Sequence, residues 1–201
     1  MKKLFSFLAL FLIGGISLQA RTAQPSKSTP PTPTVILNDG EHLLCGKSRD
    51  GKVEFEDGTQ FKTLKNDAQK IFEEWDYHEH LVVSSNPYPG GGSDYYIYNV
   101  DRGEYVHANF YSEPNRHDAY TQAIFHIDPY YGEIYLRNVS GSESEWQVEE
   151  KDFPYLEKWE PNDRVIIGKN SNWIESFRTD CPYIMINCDK NHLKYVRVKR
   201  M

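Results

Sequence analysis

The chain of 201 residues has little cysteine, no excess of positive charge and, past Ile13, no long apolar run. Each shortfall excludes something. Three cysteines, Cys45, Cys181 and Cys188, are an odd set, so at least one thiol stays free or pairs with another chain. Cys181 and Cys188 flank one apolar segment. Extended, that segment holds them ~23 Å apart, so they do not bridge each other, while Cys45 with either one stays open. With 23 basic residues against 29 acidic ones, the formal charge is −6. The basic footprint of a nucleic-acid binder is missing, and no nucleic-acid partner is expected. Beyond the N-terminus nothing approaches the ~20 apolar residues of a spanning helix, so the mature chain is expected to have no transmembrane segment. There is no Gly-x-Ser-x-Gly elbow and no flanked Cys–His signature. No catalytic set, no cofactor and no metal site is read from the sequence.

What is present begins with Lys2-Lys3, an apolar run over 4–13, the pair Gly14-Gly15 and Leu18-Gln19-Ala20. This is the three-part layout of a secretory signal peptide over 1–20, cleaved near Ala20. Its apolar run is about half the length of a membrane span. Cleavage removes Lys2 and Lys3 and leaves 21 basic residues against 29 acidic, a charge of −8. The expectation is an exported protein, periplasmic or secreted, and the short Lys-Lys start suits a bacterium. Residues 21–34 are rich in Pro, Ser and Thr and predict a disordered linker with nothing to bury.

The remainder reads as a diverged internal repeat. Phe72-Glu73-Glu74-Trp75, Glu79-His80-Leu81-Val82-Val83 and Asn86 recur 84 residues later as Leu156-Glu157-Lys158-Trp159, Asp163-Arg164-Val165-Ile166-Ile167 and Asn170. Further on, Tyr95-Tyr96-Ile97-Tyr98-Asn99-Val100-Asp101 matches Tyr183-Ile184-Met185-Ile186-Asn187-Cys188-Asp189 at a spacing of 88. Upstream, Val53-Glu54-Phe55 matches Ile134-Tyr135-Leu136 at 81. Ordered self-similarity of this kind is a fold signal, and its drift falls in loops.

Each copy carries the same elements. The first predicts strands over 42–47, 52–56, 59–63, 80–85, 94–100 and 104–111 and a helical turn over 67–74. The second predicts strands over 122–127, 133–138, 145–148, 164–169, 183–188 and 193–199 and a turn over 152–158. Many short strands punctuated by Asp-Gly, Arg-Gly and Ser-Gly turns argue for a mainly β protein. The fold class expected is two tandem SH3-like, partly open β barrels, over 35–115 and 116–201. Asp67 and Asp152 are expected to cap the helical turns, and Trp75 and Trp159 to plug the two cores.

Few residues carry chemistry. His78-Glu79-His80 has metal-site character, but its counterpart Asn162-Asp163-Arg164 is a polar turn before a strand, and a third ligand among His107, His117 and His126 is not selected by spacing. The Gly-rich 87–93 precedes a strand, not a helix, and so is a hairpin loop rather than a phosphate loop. Its counterpart over 171–182 carries Trp173 and Phe177, and these two loops are the expected partner-contacting surface. Asp128-Pro129-Tyr130-Tyr131-Gly132 is an aromatic turn. Asn138-Val139-Ser140 is a glycosylation acceptor only in a eukaryotic host. The basic Lys194, Arg197, Lys199 and Arg200 read as the solvated face and end of a strand. Together these features point to an exported, non-enzymatic binding or interaction protein of the bacterial envelope or secretome, with an unknown protein or envelope-polymer partner. A hydrolase of cell-wall or host polymers, with His78 and His80 at a cleft between the copies, and a structural envelope component are the alternatives.

Overall fold

The structure is a computed structural model that describes residues 37–88, 92–170, 180–190 and 195–201. The expected leader and linker, Gly90 and Gly91 of the first loop, Trp173 and Phe177 of the second, and Lys194 lie outside the described residues.

The first copy forms β1 (His42–Leu43), β2 (Gly46–Lys47), β3 (Lys52–Glu54), β4 (Gln60–Thr63), helix α1 (Lys65–Glu74), β5 (His80–Ser85), β6 (Tyr95–Asn99) and β7 (Glu104–Ser112). The second forms β8 (Gln122–Asp128), β9 (Glu133–Asn138), β10 (Glu143–Val148), a 3-10 turn (Glu150–Asp152) running into α2 (Phe153–Leu156), β11 (Arg164–Lys169), β12 (Tyr183–Asn187) and β13 (Tyr195–Arg200). The protein is mainly β. One sheet has seven strands in the order β1-β5-β6-β7-β4-β3-β2; the other is a closed six-stranded barrel, β10-β13-β12-β11-β8-β9. Every neighbouring pair is antiparallel.

Two like barrels were expected, and the first is a half-barrel. In the second copy β8 alone bridges β11 to β9, with a bulge at Phe125 between Ile124 and His126. In the first copy the matching segment is broken at Leu44-Cys45. Here β1 pairs β5 while β2 pairs β3, and each edge takes one further bond, Leu44 N–H to the Glu79 carbonyl and Cys45 N–H to the Glu54 carbonyl. Just past the break, β2 opens on Gly46, which packs so closely on its partner Glu54 that a Cβ would lie 2.8 Å from Glu54 Cβ.

The pairing registers repeat. Leu81↔Asn99 through Ser84↔Tyr96 in the first sheet correspond to Val165↔Asn187 through Gly168↔Ile184 in the barrel. Val53↔Phe61 corresponds to Ile134↔Trp146. His78 and Asn162, matched by the repeat, are the two non-glycine residues with positive φ among those described, 70° and 74°. Glu79 and Asp163 then do the same work. Each accepts from the side-chain amide of the matched asparagine, Asn99 or Asn187, and from the backbone N–H three residues back, Asp76 or Glu160. A register slip of one residue would turn every side chain to the wrong face, so this agreement fixes the two copies on one plan.

Asp67 and Asp152 do not cap their helices. Neither helix start has a side-chain cap bond. Each carboxylate instead reaches across to the last strand of its own copy: Asp67 accepts from His107 N–H at 3.0 Å and Asp152 from Arg197 N–H at 2.8 Å. Those amides would otherwise be unpaired where β7 and β13 pass under the helix, and a buried orphan N–H costs more than an exposed helix end. Trp75 and Trp159 are buried in the two cores. The basic residues of β13 are ion-paired rather than merely solvated: Arg197 with Asp152, Lys199 with Asp180 and Arg200 with Asp39.

The cores explain the open half-barrel. In β11 and β12, Val165, Ile167 and Met185 face the barrel interior. The alternate residues Ile166, Ile184, Ile186 and Cys188 face outward, into the core of the first sheet beside Leu44, Phe55, Phe61 and Tyr95. Side chains of the first sheet alone do not fill that core; the outer face of the second copy finishes it. At the crossing of β5 and β11 the backbones nearly touch. A Cβ on Gly168 would lie 2.2 Å from the Val83 carbonyl oxygen, and Ser84 Oγ donates to the Lys169 carbonyl at 2.9 Å.

Candidate binding groove

Strands present alternate residues to opposite faces. In β5 and β6, Leu81, Val83, Tyr95 and Ile97 point into the first core, so Val82, Ser84, Tyr96 and Tyr98 point away from it. On the second copy the matching face, Ile166, Gly168, Ile184 and Ile186, is the one buried against the first sheet. On the first copy it is the floor of an open groove of about 550 Å³. Val82 and Ser84 lie at its base, and Tyr88, Tyr96, Tyr98 and Tyr105 stand around it. Tyr88, Tyr98 and Tyr105 are 65 %, 40 % and 55 % exposed. Tyr96 and Tyr105 meet edge to face with centroids 5.1 Å apart, and Tyr96 meets His107 likewise at 4.8 Å. Ser93 Oγ lies 3.1 Å from His107 Nδ1, which fixes that ring behind the tyrosines. Burial, with Tyr105 beside it, pushes the Tyr96 phenol up, so it keeps its proton. Lys169 closes one rim, with Glu41 Oε1 3.6 Å from its ammonium. Aromatic faces over an apolar floor, with phenols as polar tips, stack and hydrogen-bond a ligand; among the described residues no acid–base pair lines the groove.

No family model matches the chain, and no curated protein and no solved structure matches it.

The residues singled out in the sequence do not converge. His78 is exposed in its left-handed turn. Glu79 is committed to Asn99, the Asp76 N–H and Arg102, and His80 Nδ1 lies 3.2 Å from Asp101. This is the polar turn that Asn162-Asp163-Arg164 repeats, where Arg164 pairs with Asp189. His107 backs the tyrosine groove, His126 lies against Tyr135 and His117 is exposed; none joins His78 or His80 in a ligand cluster among the described residues. Tyr130 and Tyr131 are exposed at the tip of a turn held by Asp128. Asn138 Oδ1 accepts from Ser140 Oγ and Ser142 N–H, and so is used in closing its hairpin.

Two further clusters were not singled out in the sequence. His42, matched to Gln122, is buried and stacked on Phe55 at 4.6 Å. Its Nδ1 lies 3.0 Å from Glu56 Oε1 and its Nε2 2.8 Å from the Ile167 carbonyl. Both neighbours accept, so both ring nitrogens donate and the ring is an imidazolium. Burial pushes its pKa down, but the Glu56 carboxylate outweighs burial and the net value rises to about 9. Glu56 Oε2 accepts from Leu43 N–H. With every polar atom engaged, the pair ties the first copy to β11 and has no free atom for general-base work. The second cluster, Glu149, Asp180 and Cys181, brings three potential ligand atoms within 4.8 Å. Lys199 pairs with Asp180 and Lys151 lies 4.0 Å from Glu149, so the positive charge a cation would bring is already supplied.

No disulfide joins Cys45, Cys181 and Cys188. Burial, with Glu56 and Glu54 behind it, pushes the Cys45 thiol up to about 11, and burial drives the Cys188 thiol up as well. Neither is a thiolate at neutral pH, and neither is a nucleophile there. The groove tyrosines escaped notice in the sequence, although one signal pointed to them: β6 carries Tyr96 and Tyr98 where β12 carries Ile184 and Ile186.

Proposed function

We propose that the protein is an exported, non-enzymatic binding protein of the bacterial envelope or secretome, built as an SH3-like half-barrel followed by an SH3-like closed barrel, and that its ligand surface is the tyrosine groove on β5, β6 and β7. One observation carries this reading. The two copies share one plan, yet the same sheet face is isoleucine-rich and buried in the second and tyrosine-rich and open in the first. An open aromatic face of this kind marks an interaction site. The N-terminal layout of Lys2, Lys3, the apolar run and Ala20 supports export.

The test has two arms. Expressed with a C-terminal tag in a bacterium, the chain is expected outside the cytoplasm with Arg21 as its new N-terminus. Retention of Met1 in the cytoplasm overturns export. Co-sedimentation with cell-envelope polymers is expected to be saturable and to weaken at least tenfold in Tyr98→Ala/Tyr105→Ala. Binding that is equal in this variant and in the unaltered chain overturns the groove as the site.

A further inference from the structure

The second copy carries a pocket of its own, and its lining is charged the opposite way to the chain. The pocket measures about 330 Å³, at the small end of ligand sites. Three arginines line it, Arg116 from the connector between the copies, Arg137 on β9 and Arg164 on β11, and no carboxylate does. The acids that pair with these arginines, Asp189 and Glu143, stand outside the lining, and Glu113 acts on Arg164 from further off. In a chain with 29 acidic residues against 23 basic ones, a pocket whose charged lining is arginine throughout draws an anion.

Two of the three guanidiniums keep donors for it. Arg164 is committed, since it holds both oxygens of Asp189 and the Pro114 carbonyl. Arg116 is held loosely. Its Nη2 lies 3.1 Å from Asp189 Oδ1 and its Nη1 3.4 Å from the Asn162 carbonyl, both longer than the strong charge-assisted bond of about 2.7–2.9 Å. Arg137 turns Nε and Nη2 to one oxygen of Glu143. Arg116 Nε and Arg137 Nη1 have no partner among the described residues. The planar fork of a guanidinium matches a carboxylate.

One wall is apolar. Phe125 is the extra residue of the β8 bulge and is 52 % exposed, with Val139 at 57 % beside it in the lining. Bulges re-aim a side chain, often beside a site. The Arg137 guanidinium lies over the Phe125 ring, 3.6 Å from its centroid, so charge and ring are presented together. Amide groups complete the lining. Ser142 N–H fixes Asn138 Oδ1, which leaves Asn138 Nδ2 without a partner among the described residues, and the Asn162 side chain has none there either.

The first copy is an internal control. In the register that matches Val53 with Ile134, Arg137 and Asn138 stand where the first copy has Glu56 and Asp57. Arg164 and Asn162 replace His80 and His78, and Phe125 stands where the first copy breaks its strand at Cys45. The same plan folds with the opposite charge at these positions, so the fold does not require the arginines.

We propose that this pocket binds the free carboxy-terminal end of a peptide. Arg116 and Arg137 take the carboxylate, Phe125 and Val139 take the last side chain, and the Asn138 and Asn162 amides pair with the last peptide group. An inorganic anion would leave the apolar wall and the amides unused. The site lies outside the tyrosine groove and does not rest on it.

The test is 19F NMR of the full chain labelled with 4-fluorophenylalanine, with the Phe125 signal identified by its loss in Phe125→Leu. N-acetyl-alanyl-alanine is expected to move that signal along a saturable curve while the signals of Phe55 and Phe61, in the first core, stay. The same dipeptide ending in an amide is expected to bind at least tenfold more weakly to the unaltered chain, as is the free acid to Arg116→Gln/Arg137→Gln. Equal binding of acid and amide overturns the proposal, and that comparison needs no variant to fold. Undiminished binding of the acid to the double variant overturns it as well. Inorganic phosphate that binds as tightly as the dipeptide overturns the peptide assignment and leaves a plain anion hole. Tyr98→Ala/Tyr105→Ala is expected to bind the dipeptide as the unaltered chain does; loss of binding there places the dipeptide in the groove and overturns this site.

Discussion

Replacing His42 by Gln, the residue at its counterpart Gln122, isolates one buried charge. In the folded chain the imidazolium is held by Glu56 and its pKa is raised to about 9, against 6.5 for a free ring. A tenfold change in proton affinity is worth about 1.4 kcal/mol, so the rise corresponds to ~3 kcal/mol at most. The sign follows from where the proton is bound. Below pH 6.5 the ring is protonated in both folded and unfolded chains, and the full contribution is present. Between 6.5 and about 9 the unfolded chain has lost the proton while the folded chain keeps it, so stability falls as pH rises. The raised thiols of Cys45 and Cys188 also cost stability as pH approaches and passes 9, where the unfolded chain loses their protons, but they do so in both proteins and cancel in the comparison. Urea unfolding at pH 6, 7, 8 and 9 is expected to show the unaltered protein losing ~3 kcal/mol more than His42→Gln over that range. At pH 6 the variant is the less stable of the two, because Glu56 is left buried without its partner charge. Parallel stability curves for the two proteins would refute the charged pair.

Other perturbations test the plan of the fold. Gly168→Ala places a methyl 2.2 Å from a backbone oxygen that cannot move aside, and a loss of about 3 kcal/mol or more is expected in thermal unfolding; an unchanged Tm would mean that β5 and β11 do not cross this closely. Asp152→Ala removes the acceptor of the Arg197 N–H and guanidinium, and is expected to cost about 3 kcal/mol. Asp67→Ala loses the backbone bond without an arginine partner, so the smaller figure of about 1–2 kcal/mol is expected from the same denaturation series. Ile184→Ala should destabilise the chain by about 2–4 kcal/mol and, measured by hydrogen exchange, loosen β6 and β7 of the first sheet along with β12, because its side chain belongs to the first core.

The sequence carried the repeat further than it carried the architecture. The spacing of 84 that aligned Trp75 with Trp159 also aligned His78 with Asn162, and both prove to hold the same left-handed turn. Strands 80–85, 133–138 and 164–169 were legible to the residue, because β-branched and aromatic runs there end at unmistakable turns. The break at Leu44-Cys45 was not legible: nothing in the run 42–47 marks the point where pairing passes from β5 to β3, two strands brought there by the rest of the fold. The roles of Asp67 and Asp152 were misread for a related reason. Sequence distance favoured a cap on the adjoining helix, and the competing N–H donors lay on strands forty residues away or more. The two-sided burial of β11 and β12 did leave a trace. Val165, Ile166 and Ile167, then Ile184, Met185 and Ile186, are apolar at consecutive positions, the mark of a strand covered on both faces. The site was the least legible part, since a tyrosine fits a core and an open groove equally well until its strand face is known.

The first half of this protein cannot finish folding when it is made. Synthesis delivers residues 37–112 before β11 and β12 exist, yet the hydrophobic interior of that half takes Ile166, Ile184 and Ile186 from them. A chain that must wait some seventy residues for the last pieces of its first core leaves the ribosome with an apolar gap exposed. Such a chain is kept loosely structured for longer. The earlier-made half is therefore the later one to consolidate, and a truncation after residue 115 is expected to yield a half that binds chaperones rather than a small free-standing domain.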